Sequence, residues 1–326
     1  MKLRDLGEFS FLRRLRARVP HDERVQIGIG DDCAALSLPG TTLLTTDTMI
    51  ENVHFRRAWT TFALLGAKAF AVNASDIAAM GGEPTFALLS VSVPRDMEVE
   101  DLDAFFSGFL AAAESCGAAL IGGNMSAAPC LMITVTLLGT AQQGIITRSG
   151  ARVGDDVYVT GFLGDGALGL RVLQDGSANK YPEDVKTRFL CPTVRLAVSR
   201  ILVSQQIVSA MIDISDGLLQ DLGHVCEASH VGAVIEAAAL PLSPHYQAIV
   251  GKQEWQDALT GGEDYELLFT ATSAHRAAIA QVARESGCLI SRIGKIGPAA
   301  AGISVRGPDG AEYSPARSGF DHFRQA

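Results

Sequence analysis

Apolar and polar positions along this chain repeat with two different periods. Residues 25–29, 42–46, 86–93, 118–121 and 131–138 are short runs rich in β-branched and apolar side chains, which predicts strands. Between them, residues 62–80 and 102–115 place apolar side chains three and four positions apart, the spacing of a helix face. Gly81-Gly82-Glu83-Pro84 supplies C-cap and breaker chemistry after the first helix, and Gly117 stops the second. A polar, Gly-containing stretch then follows, Arg148-Ser149-Gly150-Ala151-Arg152-Val153-Gly154. It predicts a boundary between residues 1–147 and a second domain, 148–326. Beyond it, residues 156–160, 211–214, 231–236, 265–270 and 288–296 read as strands, and 163–173, 187–203, 218–228 and 273–285 as helices. Strands and helices mixed in both halves predict an α/β (mixed α+β) chain of two domains.

Composition narrows the class. With 326 residues, 48% hydrophobic and 19% charged, the chain has the make-up of a globular protein with enough length for two cores. A formal net charge of −9 argues against a nucleic-acid partner, which needs a basic stripe for phosphates. The basic cluster Arg13, Arg14, Arg16 and Arg18 alternates with Phe11, Leu12, Leu15 and Val19, the pattern of a solvated helix face. No apolar run reaches the roughly 20 residues that span a bilayer, and no signal-peptide stretch opens the sequence. Cys33, Cys116, Cys130, Cys191, Cys226 and Cys288 are scattered without a CxxC pair, as reduced core cysteines are. The expectation is a cytoplasmic protein with no membrane partner.

Candidate chemistry lies in aspartates at the ends of apolar runs: Gly28-Ile29-Gly30-Asp31-Asp32, Thr45-Thr46-Asp47, Asn73-Ala74-Ser75-Asp76 and Asp213-Ile214-Ser215-Asp216-Gly217. Carboxylates gathered on one cleft repel each other, and a divalent cation is the usual remedy. Oxygen donors without His or Cys suit Mg²⁺, which takes its remaining ligands from water and substrate phosphates. A magnesium-dependent enzyme acting on phosphates is the resulting expectation. No GxxxxGK[ST] or GxSxG motif is present, so P-loop and nucleophile-elbow chemistry have no foothold. Gly164-Asp165-Gly166-Ala167-Leu168-Gly169 does match GxGxxG. Asp165 puts a carboxylate in that cradle, Gly161 already ends the strand, and a helix rather than a parallel strand follows, all against a dinucleotide site.

Local alternatives exist for each carboxylate. Asp76 shares a mostly apolar helix face with Asn73, which predicts burial. An internal Arg or Lys could compensate it, but its neutral companions favour a metal. Asp47 closes the strand 42–46, where a turn aspartate would also fit. Asp31 and Asp32 are adjacent, so in extended chain only one of them faces a shared site. Ser215 or Asp216 could merely cap the helix from Leu218, whereas Asp213 lies where no cap is needed. Gly261-Gly262-Glu263-Asp264-Tyr265 allows close backbone approach to a ligand, with Glu263 able to hydrogen-bond an amine; a hairpin turn is the plainer reading.

Taken together, these segments resemble the thiamine-monophosphate kinase family. The resemblance runs from Gly7-Glu8-Phe9 to Gly319-Phe320-Asp321-His322-Phe323 through residues 28–33, 45–48, 53–55, 68–80, 147–150, 212–218 and 261–267. It implies a two-domain aminoimidazole ribonucleotide synthetase-like fold, an N-terminal mixed sheet with helices on one side plus a C-terminal α/β domain. It also implies a homodimer formed through the N-terminal domains, and ATP-dependent phosphorylation of thiamine monophosphate to thiamine diphosphate by direct in-line transfer. By position, Asp32, Thr45, Thr46, Asp47, Asp76, Asp213 and Asp216 would bind several Mg²⁺ ions. Gly123, Arg148 and Ser215 would hold ATP, and His54, Glu263 and Phe320 thiamine monophosphate, with Arg148, Asp76 and Asp213 serving catalysis. The family's Gly-Gly-Asp-Thr-Thr followed by Arg reads Gly122-Gly123-Asn124-Met125-Ser126-Ala127 here. Asn124 can offer a carbonyl oxygen to metal and nucleotide, but one negative charge and one basic side chain are gone. The alternatives are an aminoimidazole ribonucleotide synthetase-type enzyme, or a nucleotide-binding homologue impaired at Asn124.

Overall fold

The computed structural model describes residues 40–176 and 180–315 throughout, together with residues 11, 14–15, 17–20, 22–27, 35–36 and 319. The chain divides into two units, one comprising residues 1–77 and 82–142, the other residues 78–81 and 143–326.

In the first unit, β1 (Val25–Ile27) and β2 (Ala35–Leu36) form a small antiparallel pair. The main sheet is built from β3 (Thr41–Ile50), β4 (Glu83–Val93), β5 (Ala119–Ala127) and β6 (Met132–Ala141), in the order β3-β6-β4-β5. It is mixed: β6 runs antiparallel to both neighbours, and β4 is parallel to β5. Strict alternation along β6 sends Ile133, Val135 and Leu137 to the core and leaves Thr134, Thr136 and Leu138 half-buried on the other side. Two helices, α1 (Phe62–Ala79) and α2 (Val99–Ser115), supply the rest of that core. Phe70 and Phe109 meet edge to face across them at 5.6 Å. The helices touch at Gly66 and Gly108, where a Cβ on either would collide with a backbone carbonyl of the other helix, that of Phe105 or Ala63.

Among the described residues, α1 is the one helix long and apolar enough to cross a membrane, but most of it is buried within the fold. Burying Leu65, Phe70, Val72 and Ile77 is worth roughly 1.5–3 kcal/mol each, which explains so apolar a helix without a bilayer. Gly81, at φ +77°, ends it as the sequence predicts. Of the basic cluster near the start, Arg14 and Arg18 both pair with Asp103 on α2, Arg18 at 3.1 Å, while Phe11 and Leu15 are buried; Arg13 and Arg16 lie outside the described residues.

The second unit holds a six-stranded sheet of β7 (Asp156–Thr160), β8 (Ala210–Ile214), β9 (Val231–Glu236), β10 (Glu266–Ala271), β11 (Ile290–Pro298) and β12 (Ile303–Arg306). Its order is β12-β9-β11-β7-β10-β8, antiparallel except for the β12–β9 pair. Helices α3 (Asp165–Gln174), α4 (Glu183–Leu190), α5 (Leu196–Ser204) and α6 (Leu218–Ser229) are joined by the short α7 (Pro244–Ile249) and α8 (Gln256–Thr260), then α9 (Arg276–Ser286). Every residue of β7, β8 and β10 is buried, because the sheet has a core on each side. Val157, Val159 and Ile212 join one core with Leu168 and Leu222; Tyr158, Met211 and Phe269 join the other with Leu202 and Val282. Glu266 is buried between β10 and β7 but fully compensated, by two 2.5 Å bonds from Arg195 and one of 2.6 Å from the Thr160 hydroxyl.

Several elements differ from the sequence expectation: β5 runs to Ala127 rather than stopping at 121, and β2, β12, α7 and α8 have no counterpart in it. The helix expected over 187–203 is two helices, α4 and α5, with Cys191 and Pro192 between them; proline lacks the N–H that a continuous helix requires. Strand β3 does not close at Asp47 but runs to Ile50, because β6 offers a partner at each step, Val135 opposite Asp47 and Met132 opposite Ile50.

Candidate active site

Each unit carries its own group of candidates. In the first, Thr45 donates its hydroxyl to Oδ2 of Asp76 at 2.5 Å, tying β3 to the last turn but one of α1. Asp76 is half-buried rather than fully buried, while Asn73, one turn earlier, is sealed in. The Asn73 side-chain N–H donates to Ala69 O at 3.1 Å, and its Oδ1 has no hydrogen-bond partner among the described residues. Asp47 follows Thr45 by two positions and therefore shares its face of β3, exposed to solvent. The donors gathered there are oxygens alone, which suits a hard cation.

Thr46 points the other way. Its hydroxyl donates to Val135 O at 3.0 Å and meets Thr136 at 3.1 Å on the sheet's outer face. Asn124 stands on β5 beside Ser90, and alternation around the buried Met125 puts its side chain on that same outer face. The carboxamide of Asn124 and the carboxylates of Asp47 and Asp76 are thus on opposite faces of one sheet. Gly123 packs against Leu89 so closely that no side chain would fit. His54 lies in the turn after β3, where its Nδ1 accepts the Ile50 N–H at 3.0 Å; the neutral ring therefore carries its proton on Nε2.

In the second unit, two candidate loops are joined by backbone. Glu263 N–H donates to Ser215 O and Tyr265 N–H to Ile214 O, each at 2.8 Å. This brings Glu263 beside the segment 213–216. Asp213 is buried on β8, opposite Leu267 of β10. Arg148 is exposed, and its loop is fixed elsewhere. Thr147 O accepts from Met211 N at 3.0 Å, and the Ser229 hydroxyl serves Arg148 O and the N–H groups of Gly150 and Ala151. That anchor is at the start of β8, about 13 Å along the strand from Ser215 at ~3.3 Å per residue. Asp31, Asp32 and Phe320 lie outside the described residues. Among the described residues no three His, Cys, Asp or Glu side chains gather closely enough to hold a metal by themselves.

Two carboxylates that sequence reasoning passed over organise these loops. Asp221, in the first turns of α6, accepts the N–H groups of Ser215, Asp216 and Gly217 on one oxygen, Oδ2, at 3.1, 3.1 and 3.2 Å. Burial, with the charge of Asp216 second, pushes its carboxyl up to about 7 despite those three donors. Asp264 accepts Gly164 N–H on Oδ2 at 2.7 Å and Gly166 N–H on Oδ1 at 2.9 Å. Burial drives its carboxyl well above the usual range, opposed by the two amides. The amides of the GxGxxG match therefore hold a carboxylate of the same chain. Moreover, β7 has only antiparallel neighbours, so no βαβ unit exists there. An acidic residue in a helix's first turns was the available signal for Asp221; Asp264 had none beyond its place after Gly261 and Gly262.

The fold and these loops define a two-domain class. Residues 30–141 match the family AIR synthase related protein, N-terminal domain, and residues 152–305 match AIR synthase related protein, C-terminal domain. Among individual relatives, the thiamine-monophosphate kinase of Salmonella typhimurium is 39% identical, covering 97% of this chain and 98% of the relative. The crystal structure of thiamine-monophosphate kinase from Stenotrophomonas maltophilia is 36% identical with a TM-score of 0.84, covering 94% of this chain and 98% of that one. A solved structure of AaThiL complexed with AMPPCP and TMP is 32% identical with a TM-score of 0.76, covering 99% of each chain. The chain belongs to the thiamine-monophosphate kinase family.

Proposed function

We propose that this chain transfers the γ-phosphoryl group of ATP to thiamine monophosphate, giving thiamine diphosphate and ADP. Similarity over nearly the whole chain to thiamine-monophosphate kinases supports the reading, as does a relative that binds thiamine monophosphate and an ATP analogue. The structural observation that carries it is the backbone junction of residues 213–216 with Glu263, which joins nucleotide-side and acceptor-side candidates. An oxygen of the acceptor phosphate attacks the γ-phosphorus in line, the bond to the β–γ bridging oxygen breaks, and ADP departs with that electron pair. The attacking oxygen is already ionised near neutral pH, so the protein has no proton to remove. Its task is to position two anions.

In this reading Gly123, Asn124, Arg148 and Ser215 hold ATP, and His54, Glu263 and Phe320 hold thiamine monophosphate. Asp32, Thr45, Thr46, Asp47, Asp76, Asp213 and Asp216 would be the oxygen donors for Mg²⁺; the Asn124 carboxamide, expected among them, lies on the opposite face of the sheet from Asp47 and Asp76. Bound Mg²⁺ would supply the charge neutralisation that lets the two phosphates approach. With the side chains of Thr46 and Asn124 on the outer face, Thr46 contributes its carbonyl, and Asn124 stands apart from Asp47 and Asp76. Arg148, exposed at the end of a long side chain, stabilises the charge of the transferring group.

A homodimer through the first unit fits the same sheet. Its outer face presents Leu44, 68% exposed, and Leu88, 36% exposed, among Thr and Ser side chains, with no helix across it among the described residues. Cys116, Cys130, Cys191, Cys226 and Cys288 are free, in keeping with a cytoplasmic enzyme; an immunoblot of fractionated cells checks that placement. The activity is tested by incubating purified protein with Mg²⁺, ATP and thiamine monophosphate. Absence of thiamine diphosphate under those conditions would overturn the proposal.

A further inference from the structure

We propose that Asp264 is a positioning residue for the acceptor side of the site: gripped by the amides of Gly164 and Gly166, it fixes the backbone that presents Glu263. The inference rests on Glu263 holding thiamine monophosphate, as proposed above. Three observations carry it.

The grip is two-pronged, with one carboxylate oxygen on each amide, 2.7 and 2.9 Å away. These amides open α3, where the helix dipole favours an anion, and the chain that supplies the anion is about 100 residues downstream. Asp264 itself is buried, while its neighbours Glu263 and Tyr265 are only half-buried, so the loop turns this one carboxylate inward.

The backbone on either side is held in a costly conformation. Glu263 has φ +74° and Tyr265 φ +50°, both left-handed and neither a glycine. Each such residue is strained and persists only where its surroundings over-determine it. The restraints are Glu263 N–H on Ser215 O, Tyr265 N–H on Ile214 O, and between them the two bonds of Asp264.

The third restraint is steric. A Cβ on Gly166 would stand 2.5 Å from Glu263 O, so the first turn of α3 abuts the peptide of Glu263 directly. Gly166, the second glycine of the dinucleotide-like motif, is therefore needed for this contact. Loss of the Asp264 grip frees Glu263 to relax toward ordinary φ, which moves its side chain relative to residues 213–216.

The test is a kinetic split. Asp264→Asn keeps the shape but turns an NH₂ toward one of the two amides. It should raise KM for thiamine monophosphate about tenfold while leaving KM for ATP within about twofold. Circular dichroism should show an intact fold. A merely structural role would lower kcat through a smaller active fraction and leave both KM values unchanged, and that result overturns the inference. Should Asp264→Asn fail to fold, Gly166→Ala presses the same peptide while sparing the carboxylate and should give the same split; unchanged KM values there overturn it too. Glu263→Gln, measured in parallel, separates the two layers. If it raises KM for thiamine monophosphate and Asp264→Asn does not, positioning fails and the role of Glu263 stands. If Glu263→Gln leaves that KM unchanged, both fall.

Discussion

The first unit's sheet buries one face under α1 and α2, whereas β7, β8 and β10 of the second unit's sheet are buried on both. Candidate residues follow that difference. On the one-sided sheet, Thr45 and Asp47 are side chains of a regular strand, and Asp76 comes to them from a packed helix. In the second unit β8 and β10 have no open face, so Ser215, Asp216 and Glu263 sit on loops at their ends. Their backbone is fixed by buried carboxylates, Asp221 and Asp264. A strand orients a side chain by its pleat alone. A loop needs dedicated hydrogen bonds to do the same.

The sharpest way to break this comparison is at Asp76. Asp76→Asn removes a charge from the one-sided sheet without removing an acceptor for Thr45, so turnover should fall about 100-fold or more with the fold intact. Near-normal formation of thiamine diphosphate by that variant would remove Asp76 from the site. Next in size is the packing that makes the first sheet one-sided. Gly66→Ala forces a Cβ into Phe105 O where α1 crosses α2. Overpacking of this kind should cost about 1–3 kcal/mol in urea denaturation. An unchanged midpoint would mean the helices are not held together there.

A smaller effect is expected at the open face. Leu44→Glu replaces an exposed side chain, so the monomer should lose less than about 0.5 kcal/mol. Light scattering behind size exclusion should nevertheless show a dimer for the native chain and a monomer for this variant. A dimer in both cases would place the interface elsewhere. The smallest effect concerns the loop clamp at Asp221. Its folded carboxyl titrates near 7 against an ordinary 3.8, so the folded state holds the extra proton between those values. Its contribution to stability is then complete below about 3.8 and is lost as pH rises through about 7. Asp221→Asn retains an acceptor for the three amides and should flatten that part of the pH–stability curve. An unaltered slope, measured by denaturation at several pH values, would show that Asp221 is ionised throughout.

Where the sequence reading went astray, a long-range partner or a breaker was the reason. Strand β3 outran its apolar run because β6 paired with it through Asp47. Pro192 split the helix expected over 187–203, a breaker visible in the sequence itself. Burial of Asp76 was overestimated from its helical neighbours, since β3 meets α1 there with Thr45 rather than an apolar side chain. The pleat put the side chains of Thr46 and Asn124 on the outer face, which leaves the Thr46 carbonyl, but not the Asn124 carboxamide, to join Asp47.

By itself the sequence determined the two-domain mixed α/β architecture and the helices that pack on one side of the first sheet. It also determined the family and the absence of a dinucleotide cradle at residues 164–169. The mixed α/β character and the absent cradle depend on local periodicity, turn residues and the charge of one side chain, which act over a few positions. The one-sided packing and the family came from the resemblance of the motifs taken in order. Tertiary structure alone decided which face of each strand a candidate occupies and which loops adjoin. It also decided that the glycine amides of residues 164 and 166 serve Asp264. Those outcomes depend on groups brought together from about 100 positions apart, where chain entropy is overcome only by the packed core as a whole.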